Sequence, residues 1–208
     1  PAGLAGTAMS VARGRAWPRA GPPPQPPGGR YRAPRFSLPG GTTLIAASYY
    51  APAAAAPDEY LRALRGFSEA LRALRDGAGA GYPVFILGQD SNVYLSQLDT
   101  NLFRLLKPAE EAKARQLRSF LQEFGLVDIF RHLHPTSPGS SFFAWGPKKT
   151  PISTRIDHIL ASSSIKDSFS EAGPHHRLQS LSDHAAVLAT AWLPRLKHLG
   201  DSLVARAL

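Results

Sequence analysis

The chain has 208 residues, no cysteine and a formal net charge of +9. This length suits one domain with its own core, and the lack of cysteine excludes disulfides and thiolate metal sites. A bound metal would need oxygen or imidazole ligands, which favours a hard ion such as Mg²⁺ or Mn²⁺. No apolar stretch reaches the ~20 residues that cross a bilayer, so we expect no membrane partner.

The positive charge favours a polyanionic partner, and nucleic acid is the first candidate. Residues 1–40 are rich in proline, glycine and arginine and contain no acidic residue. They predict a disordered leader, either an organellar transit segment or, as we favour, a linker. A basic leader could carry much of the charge by itself. However, several arginines also fall in the part expected to fold: Arg62, Arg65, Arg72, Arg75, Arg115, Arg118 and Arg131.

Apolar runs and helical periodicity predict alternating strands and helices over residues 41–193, followed by a short tail at 194–208. Proline and acidic residues open two helices, at Pro57 and Pro108, and glycines end them, from Gly77 and at Gly125. A short element follows at 126–131. This order predicts an α/β or α+β fold with a mixed sheet and flanking helices. Strands are predicted at 42–50, 83–88, 141–145, 156–161 and 185–192.

Polar residues mark the ends of three of these strands. Asp90 and Asn92 follow the strand at 83–88, and on an extended segment they would point the same way. A carboxylate there can bind a metal or take a proton from water, and an amide can orient a phosphate oxygen. Asp and Asn after a strand are also ordinary turn residues, so the pair by itself indicates either role.

Asp157 interrupts an apolar strand, and burial of its charge would cost several kcal/mol without a partner. Arg155 or a backbone amide could satisfy it, or an imidazole whose tautomer it would fix. His184 is the natural imidazole, because it follows Asp183 at the mouth of the last strand. The other histidines lack such a context, and we expect no catalytic role for them: His132, His134, His158, His175, His176 and His198.

The order and separation of these stretches resemble the endonuclease/exonuclease/phosphatase superfamily, the fold of DNase I and exonuclease III. Within it, the loop Leu95–Asn101 is most similar to the endonuclease domains of non-LTR (LINE-type) retrotransposons. The likeness runs from about Thr42 to Trp192. Its matching segments are Gly88-Gln89-Asp90-Ser91-Asn92 for the family's Gly-Asp-Phe-Asn, Arg155-Ile156-Asp157-His158 for its Arg-Ile-Asp-Tyr, and Ser182-Asp183-His184 for its Ser-Asp-His.

The resemblance implies Mg²⁺-dependent hydrolysis of DNA that leaves a 3′-OH nick, and a nuclear location if the retrotransposon likeness holds. Asp90 would position or deprotonate the attacking water, and Asn92 would orient the phosphate or that water. Asp157 would hold His184, which would contact the scissile phosphate. Asp183 would lie at or near the metal.

The chain also departs from the family pattern. Gln89 stands where the family has a small residue, and Ser91 replaces an aromatic residue. The family's early asparagine and its metal-binding glutamate have no match before Thr42, since Glu59 falls on a helix start. We therefore expect the C-terminal half of the β-sandwich, with one apolar sheet face left without its partner and with impaired activity.

Three other functions fit the same residues. A phosphatase of this fold would act on a small or lipid phosphate, and a substrate panel would separate it from a nuclease. A non-catalytic remnant would bind nucleic acid through its arginines, with salt-dependent binding and no cleavage. An unrelated α/β domain would leave Asp90, Asp157 and His184 far apart. The oligomeric state is not encoded in any of these patterns.

Overall fold

The computed structural model describes residues 29–38, 42–78, 83–101, 106–146, 149–175 and 182–192, and the backbone of 203–207. A six-stranded mixed sheet forms its centre. Its strands are β1 (Tyr31–Arg32), β2 (Arg35–Ser37), β3 (Thr43–Tyr50), β4 (Val84–Asp90), β5 (Leu126–Asp128) and β8 (Asp157–Ser162). β3 and β4 run parallel, and β8 pairs antiparallel with both β4 and β5. The two short strands, β1 and β2, pair antiparallel with β3.

A second, antiparallel sheet contains β9 (Phe169–His175), β10 (Ala186–Ala191) and β11 (Leu203–Ala207) in the order β11–β10–β9. A separate two-stranded hairpin, β6 (Phe142–Trp145) and β7 (Pro151–Thr154), lies before β8 in the chain. Three helices complete the described fold: α1 (Pro57–Asp76), α2 (Pro108–Glu123) and α3 (Ile129–Leu133). There are also 3-10 turns at Gln97–Asp99 and Ser163–Ser168.

Helices α1 and α2 cover one face of the central sheet, because each presents an apolar stripe at helical spacing. Phe67 of α1 is fully buried, and its ring stacks on Tyr49 of β3 with centroids 4.7 Å apart. Phe120 of α2 lies 5.7 Å from the same Phe67 ring. This aromatic stack joins both helices to the sheet.

The second sheet packs against the opposite face of the central sheet. Ile86 of β4 and Ile159 of β8 share one buried cluster with Val187 and Ala189 of β10. Both faces of the central sheet are therefore covered within the described residues. The expectation that one apolar sheet face lacks a partner is therefore wrong, because strands β9 and β10 bury that face.

The mixed sheet with flanking helices confirms the predicted fold class, but two expected boundaries were wrong. Residues 31–37, assigned to the disordered leader, form β1 and β2 on the edge of β3. Residues 203–207, assigned to the tail, form β11 on the edge of β10. Both edges offer unpaired backbone groups that a short segment can satisfy whatever its composition. The rest of the leader, 1–28, and residues 193–202 lie outside the described residues.

The helices in the described segments offer no membrane span, since none combines the necessary length and apolar character.

Phe67→Ala should lower the free energy of unfolding by about 3–5 kcal/mol, because it opens a cavity at the centre of the aromatic stack. Phe67→Leu keeps most of the volume and should cost much less. Urea unfolding followed by circular dichroism measures both changes. Equal stability of Phe67→Ala and the wild type would contradict the packing described here.

Candidate active site

The end of β4 and the start of β8 bring two carboxylates together. Asp90 is the last residue of β4, Asp157 is the first residue of β8, and the two stand opposite each other in the antiparallel register. Both are buried. His184, which lies just before β10, completes a group whose ligand atoms all lie within 4.8 Å of one another. The three predicted residues therefore meet at one site.

His184 is held by Asp157 and by an aromatic ring. Its Nδ1 lies 2.9 Å from Oδ2 of Asp157, so Nδ1 is protonated and its N–H donates a hydrogen bond to the carboxylate. The ring of Phe142 packs edge-on against the imidazole, with ring centroids 5.0 Å apart. These contacts leave Nε2 as the nitrogen for a ligand. Of the partners proposed from the sequence, His184 is the one that satisfies Asp157.

The hydroxyl of Ser141 joins the two halves of this pair, and the sequence contained no signal for it. Ser141 is fully buried, and its Oγ accepts the backbone N–H groups of Ile156 and Asp157 at 3.2 and 3.1 Å. Its carbonyl accepts the N–H of Ala185 at 2.6 Å. The start of β8 and the segment that bears His184 are thus bonded to the same residue.

The carboxyl group of Asp90 titrates near neutrality. Burial disfavours its charged form, and the charge of Asp157 adds to this effect. His184 and the N–H of Asn92 oppose it only in part, so the pKa of Asp90 rises to about 7. A carboxyl group with such a pKa can both hold and release a proton near physiological pH.

The pKa of the His184 imidazole is raised above its ordinary value. Burial alone would lower it, but the hydrogen bond and the charge of Asp157 outweigh burial, and Asp90 and Asp183 add to the attraction. The imidazolium is therefore favoured at this site. It carries positive charge towards any anion that approaches the two carboxylates.

Asn92 lies at the site in a turn, which is one of the two alternatives that the sequence left open for Asp90 and Asn92. Its φ is +48°, and its backbone N–H donates to Oδ1 of Asp90 at 3.0 Å. One side-chain N–H donates to the carbonyl of Ala51 at 2.8 Å. Asparagine tolerates this left-handed conformation because its short amide bonds locally. Asn92 thus acts as a turn residue and still lies next to Asp90.

Asp183 is placed differently from the other predicted residues. Its carboxylate is exposed, and it does not belong to the group of three ligand atoms found in the described residues. Its carbonyl accepts the N–H of Phe143 at 2.9 Å, which fixes its backbone beside the hairpin. Its metal-binding role remains a prediction.

A cross-strand row extends the site along the sheet. Tyr50 of β3 is the register partner of Asp90, as Asp157 is on the other side. The N–H of Tyr50 donates to the carbonyl of Arg30 at 2.8 Å, and the Arg30 guanidinium lies 5.9 Å from the centre of the Tyr50 ring. Cross-strand partners face the same side of a sheet. The row therefore adds a phenol and an exposed cation that the sequence did not indicate.

Residues 8–184 match the model of the Endonuclease/Exonuclease/phosphatase family. The chain belongs to this family. The match begins well before Thr42, where the likeness seen in the sequence motifs began. Sequence comparison with curated proteins gives no match.

Solved structures of nucleic-acid enzymes share the fold of this family member. One is a 3′ phosphatase, NExo from Neisseria, bound to product DNA hairpin: TM-score 0.62, 19% identity, 81% of this chain and 66% of that chain covered. Another is the AP endonuclease LMAP from Leishmania major: TM-score 0.58, 19% identity, 86% and 55% covered. A third is the endonuclease domain of TRAS1, a telomere-specific non-LTR retrotransposon: TM-score 0.57, 16% identity, 80% and 65% covered. The chain thus spans 55% to 66% of their length.

Members of the endonuclease/exonuclease/phosphatase superfamily generally depend on a divalent metal. Asp90 and Asp157 fit such an ion, because carboxylate oxygens are ligands that hard divalent ions accept, and their oxygens lie within 4.8 Å of each other. The raised pKa of Asp90 supports this fit. A cation between the carboxylates would offset the repulsion that keeps Asp90 protonated.

Asp90→Asn should stabilise the metal-free protein at pH 8. An unfolded aspartate titrates near 3.9, so the native state, where the pKa of Asp90 is about 7, holds the proton more tightly. The free energy of unfolding of the wild type therefore falls as the pH rises from about 4 to 7. The variant should gain up to roughly 4 kcal/mol at pH 8, at 1.4 kcal/mol per pKa unit, and nothing near pH 4.

Urea unfolding in EDTA at the two pH values measures this difference. Asp76→Asn is the control, since the Asp76 side chain is 67% exposed and its removal should change stability by only a few tenths of a kcal/mol. An Asp90→Asn protein less stable than the wild type at pH 8 would disprove the electrostatic account of the site.

Proposed function

We propose that this protein hydrolyses phosphodiester bonds in DNA with the help of Mg²⁺ or Mn²⁺. The observation that carries the proposal is the buried pair of carboxylates, Asp90 and Asp157, with His184 bonded to one of them. Burial of two like charges is costly unless a cation or a proton compensates them. Such an arrangement is typical of a site that binds a metal and moves a proton.

His184 is the group that meets the scissile phosphate. With Nδ1 bonded to Asp157, Nε2 is free to donate to a non-bridging phosphate oxygen. The raised pKa of His184 favours its cationic form, and this form would stabilise the charge that builds up on the phosphate as water attacks. Asp157 fixes the ring in this tautomer and orientation.

Asp90 takes the proton of the attacking water. The new bond joins the water oxygen to phosphorus and the bond from phosphorus to O3′ breaks. O3′ then takes a proton from solvent water to become a 3′-OH. Asn92 bonds Asp90 through its backbone N–H, and its side-chain amide is held by the carbonyl of Ala51. It is thereby suited to orient the water or a phosphate oxygen.

Asp90 and Asp157 are the residues that would hold the divalent ion, with Asp183 as the further carboxylate on the exposed rim. A bound Mg²⁺ or Mn²⁺ supplies several kcal/mol of charge stabilisation at the phosphate. Mg²⁺ usually takes one or two protein carboxylates and fills its remaining positions with water and substrate oxygens. Two carboxylates from this chain therefore suffice for such a site.

DNA is the substrate that the surface favours. The net charge is +9, and Arg30 ends the row of residues that passes through the site. Trp145 ends the strand that begins with Phe142, and its side chain is 77% exposed. The hairpin contacts His184 through Phe142 and offers the exposed ring of Trp145, on which a base can stack.

A retrotransposon endonuclease is the narrower proposal. The similarity in fold to the TRAS1 endonuclease domain supports it, as does the loop at 95–101 that resembles LINE-type domains. Nicking of one strand, rather than processive digestion from an end, is the activity expected from such a domain.

Removal of a 3′-terminal phosphate from DNA is the second candidate. The solved structure with TM-score 0.62 is a 3′ phosphatase bound to product DNA hairpin. The same residues could serve both reactions, since each breaks a bond between phosphorus and an ester oxygen. The substrate separates them: an intact plasmid reports nicking, and a hairpin with a 3′ phosphate reports phosphatase activity.

His184→Ala and Asp90→Asn should each lower the rate of plasmid nicking in Mg²⁺ by about 10²–10⁴-fold, because each removes a proton-handling group. The matched control is His132→Ala, whose imidazole also bonds an aspartate, Asp167 at 3.1 Å, but outside the site. It should nick like the wild type. EDTA should abolish nicking in all of them.

Gel electrophoresis of supercoiled and nicked plasmid gives these rates. Salt-dependent DNA binding with no nicking and no phosphatase activity in Mg²⁺ or Mn²⁺ would overturn the proposal and select a non-catalytic DNA-binding protein.

Asp183→Asn tests the predicted metal role, and it should raise the Mg²⁺ concentration needed for half-maximal rate.

Trp145→Ala should weaken DNA binding by about 1–3 kcal/mol if a base stacks on the indole. Trp192→Ala is the matched control, because Trp192 is also exposed but follows the end of β10 that lies away from His184. Fluorescence anisotropy of labelled single- and double-stranded oligonucleotides measures both. Equal affinities of the two variants would exclude the hairpin as a DNA contact.

A further inference from the structure

Arg155 is a buried cation that lies two residues from Asp157 but does not contact it. Its Nε lies 2.9 Å from Oδ1 of Asp99, and a terminal nitrogen lies 2.7 Å from Oδ2 of Asp128. The same terminal nitrogen is 3.0 Å from Nδ1 of His158. The side chains of Arg155 and Asp99 are 3% and 1% exposed. One guanidinium therefore bridges two carboxylates from distant parts of the chain.

The groups around Arg155 are fully engaged. Asp99 also accepts a hydrogen bond from Arg131 at 2.5 Å and the N–H groups of Leu95 and Ser96 at 3.1 and 3.0 Å. Burial opposes the charge of Asp128, but the hydrogen bond from His158 and the charge of Arg155 outweigh burial and hold the pKa of Asp128 well below its usual range. Each buried charge thus has a partner of opposite sign, as a stable buried cluster requires.

Hydrogen bonds near this cluster attach the loop at 91–101 to the segment before Asp157. The loop begins directly after Asp90, the last residue of β4. The N–H of Ser91 donates to the carbonyl of Ile156, and the N–H of Asn101 donates to that of Ser153, at 2.8 and 3.0 Å. The N–H of Arg155 donates to the carbonyl of Asp99 at 2.7 Å. The loop is therefore bonded along the segment that leads into Asp157, with the Arg155 side chain beneath it.

His158 adds a contact near the start of the loop. It is fully buried on the face of β8 opposite Asp157, and its Nε2 lies 3.4 Å from the carbonyl of Val93. Nε2 thus faces a backbone acceptor, while Nδ1 lies 3.2 Å from Oδ2 of Asp128. The cluster therefore reaches the residue that follows Asn92.

We propose that Arg155 and Asp99 are positioning residues that set the distance between the Asp90–Asn92 turn and Asp157. This proposal rests on the proposed function, because the positioned groups are those that would perform hydrolysis. Catalysis depends on placement, and a shift of about 1 Å can cost 10²-fold in rate. The Arg155–Asp99 pair ties the loop to the strand, so its loss should loosen one carboxylate relative to the other.

Lysine cannot replace Arg155 in this role. The guanidinium presents its donors in a planar fork that reaches both carboxylates, whereas an ammonium is a single point of charge. R155K retains the charge and loses the bridge. R72K is the matched control, since Arg72 makes a forked contact with Glu123, in part exposed and between α1 and α2.

R155K should lower kcat for plasmid nicking by about 10–100-fold with KM for DNA unchanged within a factor of two, and R72K should match the wild type. Hydrogen exchange in Mg²⁺-free buffer should speed up at least tenfold for amides at 91–101 in R155K, with α1 unaffected. If R155K does not fold, Asp99→Asn replaces it, since it keeps the side-chain shape and removes the charge that Arg155 binds.

Slower exchange or no change at 91–101, or a rise in KM with kcat intact, would overturn the positioning role. Wild-type protein that neither nicks DNA nor removes a 3′ phosphate would refute the proposed function. In that case the exchange measurement, together with Mn²⁺ binding by electron paramagnetic resonance, still tests the positioning role. Unchanged Mn²⁺ affinity in R155K would then count against it, because Asp90 and Asp157 would hold the ion equally well without the anchor.

Discussion

Two buried carboxylates held side by side are the constraint to which the rest of the site responds. The β4–β8 register places Asp90 opposite Asp157, and both side chains are buried. Like charges at this depth repel strongly, so the site must supply positive charge or retain a proton. The pKa of His184, which is bonded to Asp157, is raised, and the pKa of Asp90 rises to about 7. The chemistry proposed for the protein depends on the repulsion between these two carboxylates, because a bound metal ion or a proton taken from water lowers it.

The supporting parts of the fold act on that same pair. Ser141 bonds the start of β8 and the segment before β10, so that Asp157 and His184 keep their distance. Arg155 neutralises Asp99 and Asp128 on the far side of the strand and fastens the loop that follows Asp90. The two apolar cores, one under α1 and α2 and one between the sheets, hold the strands rigid enough for these bonds to form. Burial of the polar cluster is thus stable only because every charge in it is paired.

Much of the site was predictable from local patterns. Asp90 was predicted just after one apolar strand, Asp157 inside a second and the Asp–His pair at 183–184 before a third. Their convergence could be expected from the family resemblance and was found, although the structure places Asp157 at the start of β8. The pairing of His184 with Asp157, rather than with its neighbour Asp183, was also predicted. A turn at Asn92 was one of the predicted alternatives, but its left-handed conformation was not specified, because it depends on the hydrogen bonds to Asp90 and Ala51. Arg155 was considered as a partner for Asp157, yet it binds carboxylates that are 56 residues and 27 residues away in the chain, and no local pattern signals such contacts.

The sequence by itself predicted five of the strands and the two long helices, the acidic and imidazole groups of the site, and the basic character that favours DNA. These properties follow from hydrophobic periodicity and residue chemistry, which act over a few residues. The tertiary structure decided which groups touch. It added strands at 31–37 and 203–207, because free sheet edges accept almost any segment with a backbone to pair. It also made Ser141 and Arg155 part of the site, since burial turns an ordinary hydroxyl or guanidinium into an obligatory partner for whichever polar groups the fold encloses with it.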